Sequence, residues 1–212
     1  MAQADSVDPY PFDTGTHHFE LAYQADSAPW DIHSPQPAIV ALAEGEKIIG
    51  DVLDLGCGTG ENALMLVTRG HMVWGIDTSP TAIERARAKA SDRHVDVTFV
   101  LGSALELEVL GEGFHTVIDS GLFHIFSDEE RMTYINGLHH VMFPNGSLYL
   151  LCFSDREPGD WGPRRVKRSE LRQFFSPAQG FRVQSIVETR FYLRERPAGV
   201  RAWLATIERL VE

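Results

Sequence analysis

Three glycines spaced two apart, Gly56, Gly58 and Gly60, follow the short apolar run 52–55 and precede an amphipathic stretch, 61–69. That order is strand, tight turn, helix, and glycines at such a turn let backbone N–H groups approach a ligand closely. An acidic residue, Asp54, stands two places before the first glycine. A second apolar run ends in Asp77, at about the 20-residue step where open α/β folds place a carboxylate for the vicinal hydroxyls of a ribose. A carboxylate can accept from both hydroxyls at once. The bland alternative for Asp77 is a turn residue or a cap for the next helix, a role also open to Thr78 and Ser79 ahead of Pro80. His124 is the titratable group of the small, aromatic loop 120–126. With an ordinary pKa of about 6.5, a histidine there can take a proton from a bound hydroxyl near neutral pH. Its bland alternative is a packed ring hydrogen-bonded to backbone. His33 and Asp31 are second choices for the same task.

The elements that must position these residues follow from pattern. Strands are expected at 52–55, 72–77, 96–101, 114–119 and 147–154, and helices at 37–46, 61–69, 80–90, from 128 onward, and near 169–175. Pro37 and Pro80 suit helix starts, and Gly70 suits a helix end. Pro144, Asn145 and Gly146 read as a turn, and 181–191 and 202–210 as two final strands. The expected fold is α/β: a Rossmann-like, seven-stranded, mostly parallel sheet ending in a C-terminal antiparallel hairpin, with helices on both faces. Residues 1–18 are polar and aperiodic, an N-terminal arm free to fold over a bound ligand. Residues 19–212 form a single domain.

Composition narrows the function classes. The chain has 212 residues and a formal net charge of -11, which disfavours a polyanionic partner, since nucleic-acid affinity comes from Lys and Arg on phosphates. The basic run 164–168 is too small to reverse that field and reads as a loop and helix entrance. No apolar run is long enough for a membrane span and no basic-then-apolar leader is present, so a cytoplasmic protein is expected. The two cysteines, Cys57 and Cys152, suit a reducing compartment.

The run Asp54-Leu55-Gly56-Cys57-Gly58-Thr59-Gly60, with Asp77 beyond it, resembles motif I of the class I S-adenosylmethionine (SAM)-dependent methyltransferases. The dinucleotide fingerprint wants its third glycine at the sixth place, where this chain has Glu61. The resemblance implies SAM as cofactor and S-adenosylhomocysteine (SAH) as product. It implies contacts from the motif I turn, including Cys57 and Asn62, and from Asp77 and Thr78. It further implies an adenine contact at Ser103, Ala104 and Leu105, and a place for Asp119 near the methionine end. The segment Trp30-Asp31-Ile32-His33-Ser34-Pro35-Gln36-Pro37 resembles the thiopurine methyltransferase-like branch, whose heterocyclic-toxin members take hydroxyquinoline and benzoquinone-type compounds. There the segment closes over SAM and lines the acceptor pocket. Trp30 can alternatively pack the first helix onto the sheet.

The resemblance makes the expected activity methyl transfer to a small aromatic or heterocyclic substrate, on a hydroxyl, as bacterial detoxification. S- or N-methylation is the alternative. Phe12, Phe19, Tyr23, Trp30, Phe123 and Trp161 offer aromatic walls, and His33 and Arg165 are further substrate candidates. The loop after the fourth strand lacks the Asn/Asp-Pro-Pro-aromatic run of nucleic-acid and glutamine methyltransferases, so no nucleic-acid and no membrane partner is expected, and a monomer or homodimer is. The Asp-Asn pair of catechol-type enzymes is missing beside Asp119 and Asp155, so no metal is expected. A nicotinamide-dependent oxidoreductase and a non-catalytic SAM-binding protein are the competing readings.

Overall fold

Apolar runs and amphipathic stretches alternate along the chain, and the computed structural model, which describes residues 17–211, turns that alternation into one sheet with helices on both sides. The elements are α1 (His17–Gln24), α2 (Pro37–Glu44), β1 (Val52–Leu55), α3 (Glu61–Val67), β2 (Val73–Asp77), α4 (Pro80–Asp92) and β3 (Thr98–Leu101). After them come β4 (Phe114–Ser120), α5 (Asp128–Val141), β5 (Met142–Phe153), α6 (Arg168–Phe174), β6 (Phe181–Leu193) and β7 (Arg196–Arg209).

The seven strands lie in the order β3-β2-β1-β4-β5-β7-β6. The pairs from β3 through to β5 are parallel, whereas β5–β7 and β7–β6 are antiparallel. This is the expected mostly parallel Rossmann-like sheet closed by an antiparallel hairpin. Side-chain alternation sorts the strands between two layers. Leu53, Leu55, Val117, Leu150 and Trp203 pack under α5 and α6, through Tyr134, Leu138, Leu171 and Phe174. Val52, Ile118, Leu151, Ala202 and Leu204 face the other way, against Ile39 of α2, Leu64 and Leu66 of α3, and Ile83 and Ala86 of α4. Full burial of each large aliphatic side chain contributes about 2 kcal/mol, and a one-residue slip in any strand would turn its whole set to the wrong layer.

The helix starts are fixed by caps. The Ser79 hydroxyl accepts from the Ala82 amide ahead of α4, with Pro80 at its first position, and Ser127 and Glu130 form a reciprocal capping box at α5. Strand order reverses between β1 and β4, so the loops leaving those strands diverge to opposite faces and open a crevice at their carboxyl ends.

Three boundaries differ from expectation. His17 and His18, read as part of the N-terminal arm, already belong to α1; the rest of that arm, with Phe12, lies outside the described residues. The turn at 144–146 is an excursion within β5. Pairing with β4 jumps from Phe114–Met142 to Thr116–Ser147, and Asn145 takes a left-handed φ of 63° in the gap. The hairpin strands also reach further than the alternation suggested, which carries residues 191–196 to the crevice.

Candidate active site

The crevice is a cavity of about 740 Å³, the size of a site for a small molecule. Its floor is the turn from β1 into α3. Gly56 and Gly58 have φ of 64° and 54°, in the left-handed region open to glycine at no steric cost. The Gly58 amide donates to Asp77 Oδ2 at 2.9 Å, and the Ser79 amide donates to Asp77 Oδ1 at 2.9 Å. Asp77 thus ties the two ligand-facing turns together, and its oxygens keep lone-pair capacity for a hydroxyl in the crevice. Burial pushes its carboxyl up, opposed by the amides of Ser79, Gly58 and Thr78.

Helix α1 closes one side. Glu20 holds the helix to the start of α4, accepting from the Ser79 hydroxyl, the Thr81 amide and the Thr81 hydroxyl. The Tyr23 hydroxyl receives the Trp30 indole N–H at 2.9 Å and lies so close over Gly58 that a Cβ there would meet it at 2.6 Å. Trp30 also packs edge-on against Phe19. Trp30, Phe19 and Tyr23 therefore line the crevice as one aromatic unit. Ser103, Ala104 and Leu105 line it further along, with the Leu105 amide folded back onto the Ser103 hydroxyl at 3.1 Å. Cys57, Asn62, Thr78 and Trp161 face the same cavity.

The roof comes from a part of the chain the sequence did not point to. The Gln36 side chain pairs with the backbone of Tyr192 at both ends, accepting from its N–H at 3.0 Å and donating to its carbonyl at 2.9 Å. Arg194 donates from Nε to the Asp31 carbonyl and from its backbone amide to Pro29. These bonds sew the tip of the β6–β7 hairpin to the loop after α1, and Phe191, Leu193, Glu195 and Arg196 then line the cavity.

At the far end stand Phe126, Phe153, Phe191, Trp161 and His124. The Phe153 amide donates to His124 Nδ1 at 3.1 Å. A ring nitrogen that accepts from an amide carries no proton, so the proton of the neutral ring sits on Nε2. Burial, reinforced by the positive charges of Arg131 and Arg165, pushes the imidazole down to about 3. It is a neutral hydrogen-bond donor throughout the physiological range.

Several expected residues stand elsewhere. Phe123, expected at the acceptor, is fully buried against Tyr134, Phe174 and Phe175, with the Arg131 guanidinium stacked 4.3 Å from its ring centre. Asp119 accepts from the Leu122 and Phe123 amides and from the Tyr134 hydroxyl. It holds the loop after β4 in shape without lining the cavity, and burial pushes its carboxyl up to about 6. Gly60 starts α3 with φ of 84°, and a Cβ on it would meet the Phe99 ring. Its role is to let α3 close on the sheet. His33 is exposed, its amide bonded to Asp31 Oδ1. Arg165 donates to the carbonyls of Glu157, Pro163 and Trp161 and braces the loop that carries Trp161. Asp54 lies behind the turn, fully buried, with the Ala63 amide opposing the effect of that burial on its carboxyl. Burial pushes it up to about 8. Asp155 accepts from the Trp203 indole.

The sequence profile of a methyltransferase domain matches residues 52–146. A 2-heptyl-1-hydroxyquinolin-4(1H)-one methyltransferase of Mycobacteroides abscessus is 35% identical over 184 residues, 82% of this chain and 80% of that protein. The chain belongs to the SAM-dependent methyltransferases. A solved structure concerned with the conversion of a disulfide bond into a thioacetal group during echinomycin biosynthesis is 37% identical, with a TM-score of 0.83 over 92% of this chain and 93% of that one. The 1,6-didemethyltoxoflavin-N1-methyltransferase of Burkholderia thailandensis, solved with SAH, shares the fold at 23% identity and a TM-score of 0.73, over 99% of this chain and 95% of that one.

The cofactor of this methyltransferase is SAM, and the residues fit it. The side-chain-free face of Gly56 and Gly58 leaves room for close backbone approach, Asp77 retains the acceptors a ribose diol needs, and the turn at Ser103 offers an edge for a base. A nicotinamide dinucleotide fits less well. Its diphosphate would sit at the start of α3, where Glu61 stands, paired with Lys89 and Arg93.

Proposed function

We propose that this methyltransferase acts on a small aromatic or heterocyclic acceptor, transferring the methyl group to a hydroxyl oxygen, in a cytoplasmic detoxification role. One observation carries the reading. Beyond Gly121 the cavity is walled by Phe126, Phe153, Phe191 and Trp161, and His124 offers a neutral donor among them. A flat ring system of limited size suits such walls, through face and edge packing.

When bound, SAM supplies an electrophilic methyl group on a sulfonium cation. The chain's own residues do the rest. Asp77 and the glycine turn hold the nucleoside end in a fixed orientation. The aromatic unit of Phe19, Tyr23 and Trp30, with the hairpin roof, excludes water, so charge annihilation between acceptor and cation is favoured by a dry surrounding. Holding two reactants in near-attack geometry can lower a barrier by about 7–11 kcal/mol, and no group that carries the proton away is needed if the acceptor is acidic. His124, expected as a base, serves in this proposal to orient the acceptor through Nε2–H.

Thiol acceptors are the second reading, favoured by the 29% identity over 84% of this chain to a probable thiol methyltransferase of Arabidopsis thaliana and by a cavity end without a free imidazole acceptor. A panel of hydroxylated, thiol and amine heterocycles, assayed by SAH release with product identification, tests both. Methylation of hydroxyl compounds is expected; turnover of amines alone would refute the oxygen assignment.

A further inference from the structure

We infer that Asp31 is a positioning residue of the transfer reaction: its carboxylate holds the glycine turn and its carbonyl holds the hairpin that roofs the acceptor, so that occupancy of the turn seats the roof. The inference rests on the cofactor lying in that turn and on the small-acceptor reading above. It adds a physical link between the two halves of the site.

Asp31 is buried where those halves meet. Its Oδ2 accepts the Thr59 hydroxyl at 3.0 Å, and Thr59 stands between Gly58 and Gly60 in the turn from β1 into α3. The Thr59 oxygen is itself met by the Lys89 ammonium at 2.7 Å. An ammonium only donates, so the hydroxyl proton is committed to Asp31 and the bond has one direction. On the other side, the Asp31 carbonyl accepts Arg194 Nε at 2.5 Å, and Arg194 Nη2 lies 3.9 Å from Oδ2. Arg194 and Glu195 are the two residues between β6 and β7, whose last pair is Leu193 with Arg196. Arg196 Cζ stacks 3.8 Å from the ring centre of Trp161, a wall of the aromatic end. The route from glycine turn to acceptor wall thus runs through one carboxylate and one guanidinium.

Backbone strain makes this link responsive. Asp26 and His33 flank the segment and hold left-handed φ of 51° and 55°, a conformation that costs an L-residue energy. The same two side chains keep both in place. The Asp26 carbonyl and carboxylate accept Arg194 Nη1 and Nη2 at 2.7 and 3.1 Å, and the His33 amide donates to Asp31 Oδ1 at 3.1 Å. Strained backbone persists only while its surroundings over-determine it. A turn free to shift loosens Thr59, then Asp31, then the seat of Arg194; a turn fixed by its ligand fixes the roof with it. Asp31 acts through Arg194, not by taking a proton.

The test is hydrogen–deuterium exchange of the free and SAH-saturated protein, read on peptides spanning residues 190–196. The Tyr192 and Arg194 amides donate to Gln36 and Pro29, so their exchange reports how firmly the roof is seated. SAH should slow it about tenfold in the wild type. Thr59→Val, which keeps the side chain's shape without its hydroxyl, should abolish the slowing at saturating SAH, and Thr59→Ser should restore it. Arg194→Gln, at the hairpin tip, should abolish it too. No slowing in the wild type, or equal slowing in Thr59→Val, would overturn the inference. Steady-state kinetics separate positioning from proton abstraction. Thr59→Val and Asp31→Asn should both raise the acceptor KM several-fold and leave the pH profile of kcat in place; a profile displaced by Asp31→Asn alone would make Asp31 a base and overturn the inference. If SAH does not bind the wild type, the cofactor assignment fails and the inference with it. If no acceptor in the panel releases SAH, the small-acceptor reading fails, and the exchange measurement still decides whether Asp31 links turn and roof.

Discussion

Asp77→Asn separates the two jobs of this carboxylate. Oδ2 accepts the Gly58 amide and Oδ1 the Ser79 amide, and the same oxygens are the acceptors offered to a ribose diol. An asparagine supplies one carbonyl oxygen and one NH₂, so whichever way it turns, an N–H faces an N–H in one of the two turns. Leaving a buried donor unsatisfied costs about 1–3 kcal/mol, and losing a hydrogen bond to a charged acceptor about 1.5–3 kcal/mol. The ionised carboxylate also suffers burial, which the neutral amide avoids, so the loss of fold stability is partly offset. The nucleotide loses the acceptor with nothing in return. The expected result is SAH affinity weakened by about 10–150-fold, while the apo protein melts within about 5 °C of wild type. Calorimetric titration with SAH, alongside thermal melts of the apo form, reads both. Wild-type SAH affinity in a folded Asp77→Asn variant would refute the assignment of Asp77 to the cofactor.

Other consequences follow from the same geometry. Gly58→Ala must hold an L-residue at φ of 54° and displace the Tyr23 hydroxyl from 2.6 Å; a cost of about 1–2 kcal/mol should lower the melting temperature by several degrees and weaken SAM binding at least tenfold by calorimetry. Asp54 has a folded-state pKa raised to about 8, so the folded state holds a proton that the unfolded chain gives up at about 4. Its contribution to stability is therefore complete below about pH 4 and is lost as pH rises to about 8. Asp54→Asn should flatten that part of the stability–pH profile by chemical denaturation; an unchanged slope would show that Asp54 is not the group responsible. Gln36→Ala breaks both bonds to Tyr192 and should raise the acceptor KM about tenfold with a smaller change in SAM affinity, because it loosens the roof; equal loss for both ligands would contradict that division.

The half of the site built from consecutive residues was legible in the sequence, because the glycine turn, Asp77 and the turn at Ser103 are each fixed by a strand ending in a short loop. The roof was not. Gln36 meets Tyr192, and Asp31 meets Arg194, only because β6 and β7 extend past the alternation that marked them, and nothing local to residues 191–196 signals a ligand. In the loop after β4 the residue types were informative but their directions were not. Phe123 and Phe126 are both aromatic, yet the bonds from Asp119 to the Leu122 and Phe123 amides turn Phe123 into the core, and Phe126 faces the cavity. His124, singled out as a candidate base, lines the cavity, while its chemistry depends on one amide, that of Phe153, contributed by a different strand. A tautomer decided by a distant backbone N–H is outside what residue spacing encodes.

In the proposed reaction the crevice at the ends of β1 and β4 binds an adenosyl sulfonium and delivers its methyl group to a small molecule. Incubating the protein with methyl-labelled SAM and the hydroxylated heterocycle panel, and measuring SAH and labelled product together, tests it most directly. The expected result is equimolar SAH and methylated acceptor, with the label on oxygen, and loss of both in Asp77→Asn at subsaturating SAM. Absence of labelled product with every acceptor, together with thermal stabilisation by NADH and not by SAM or SAH, would contradict it.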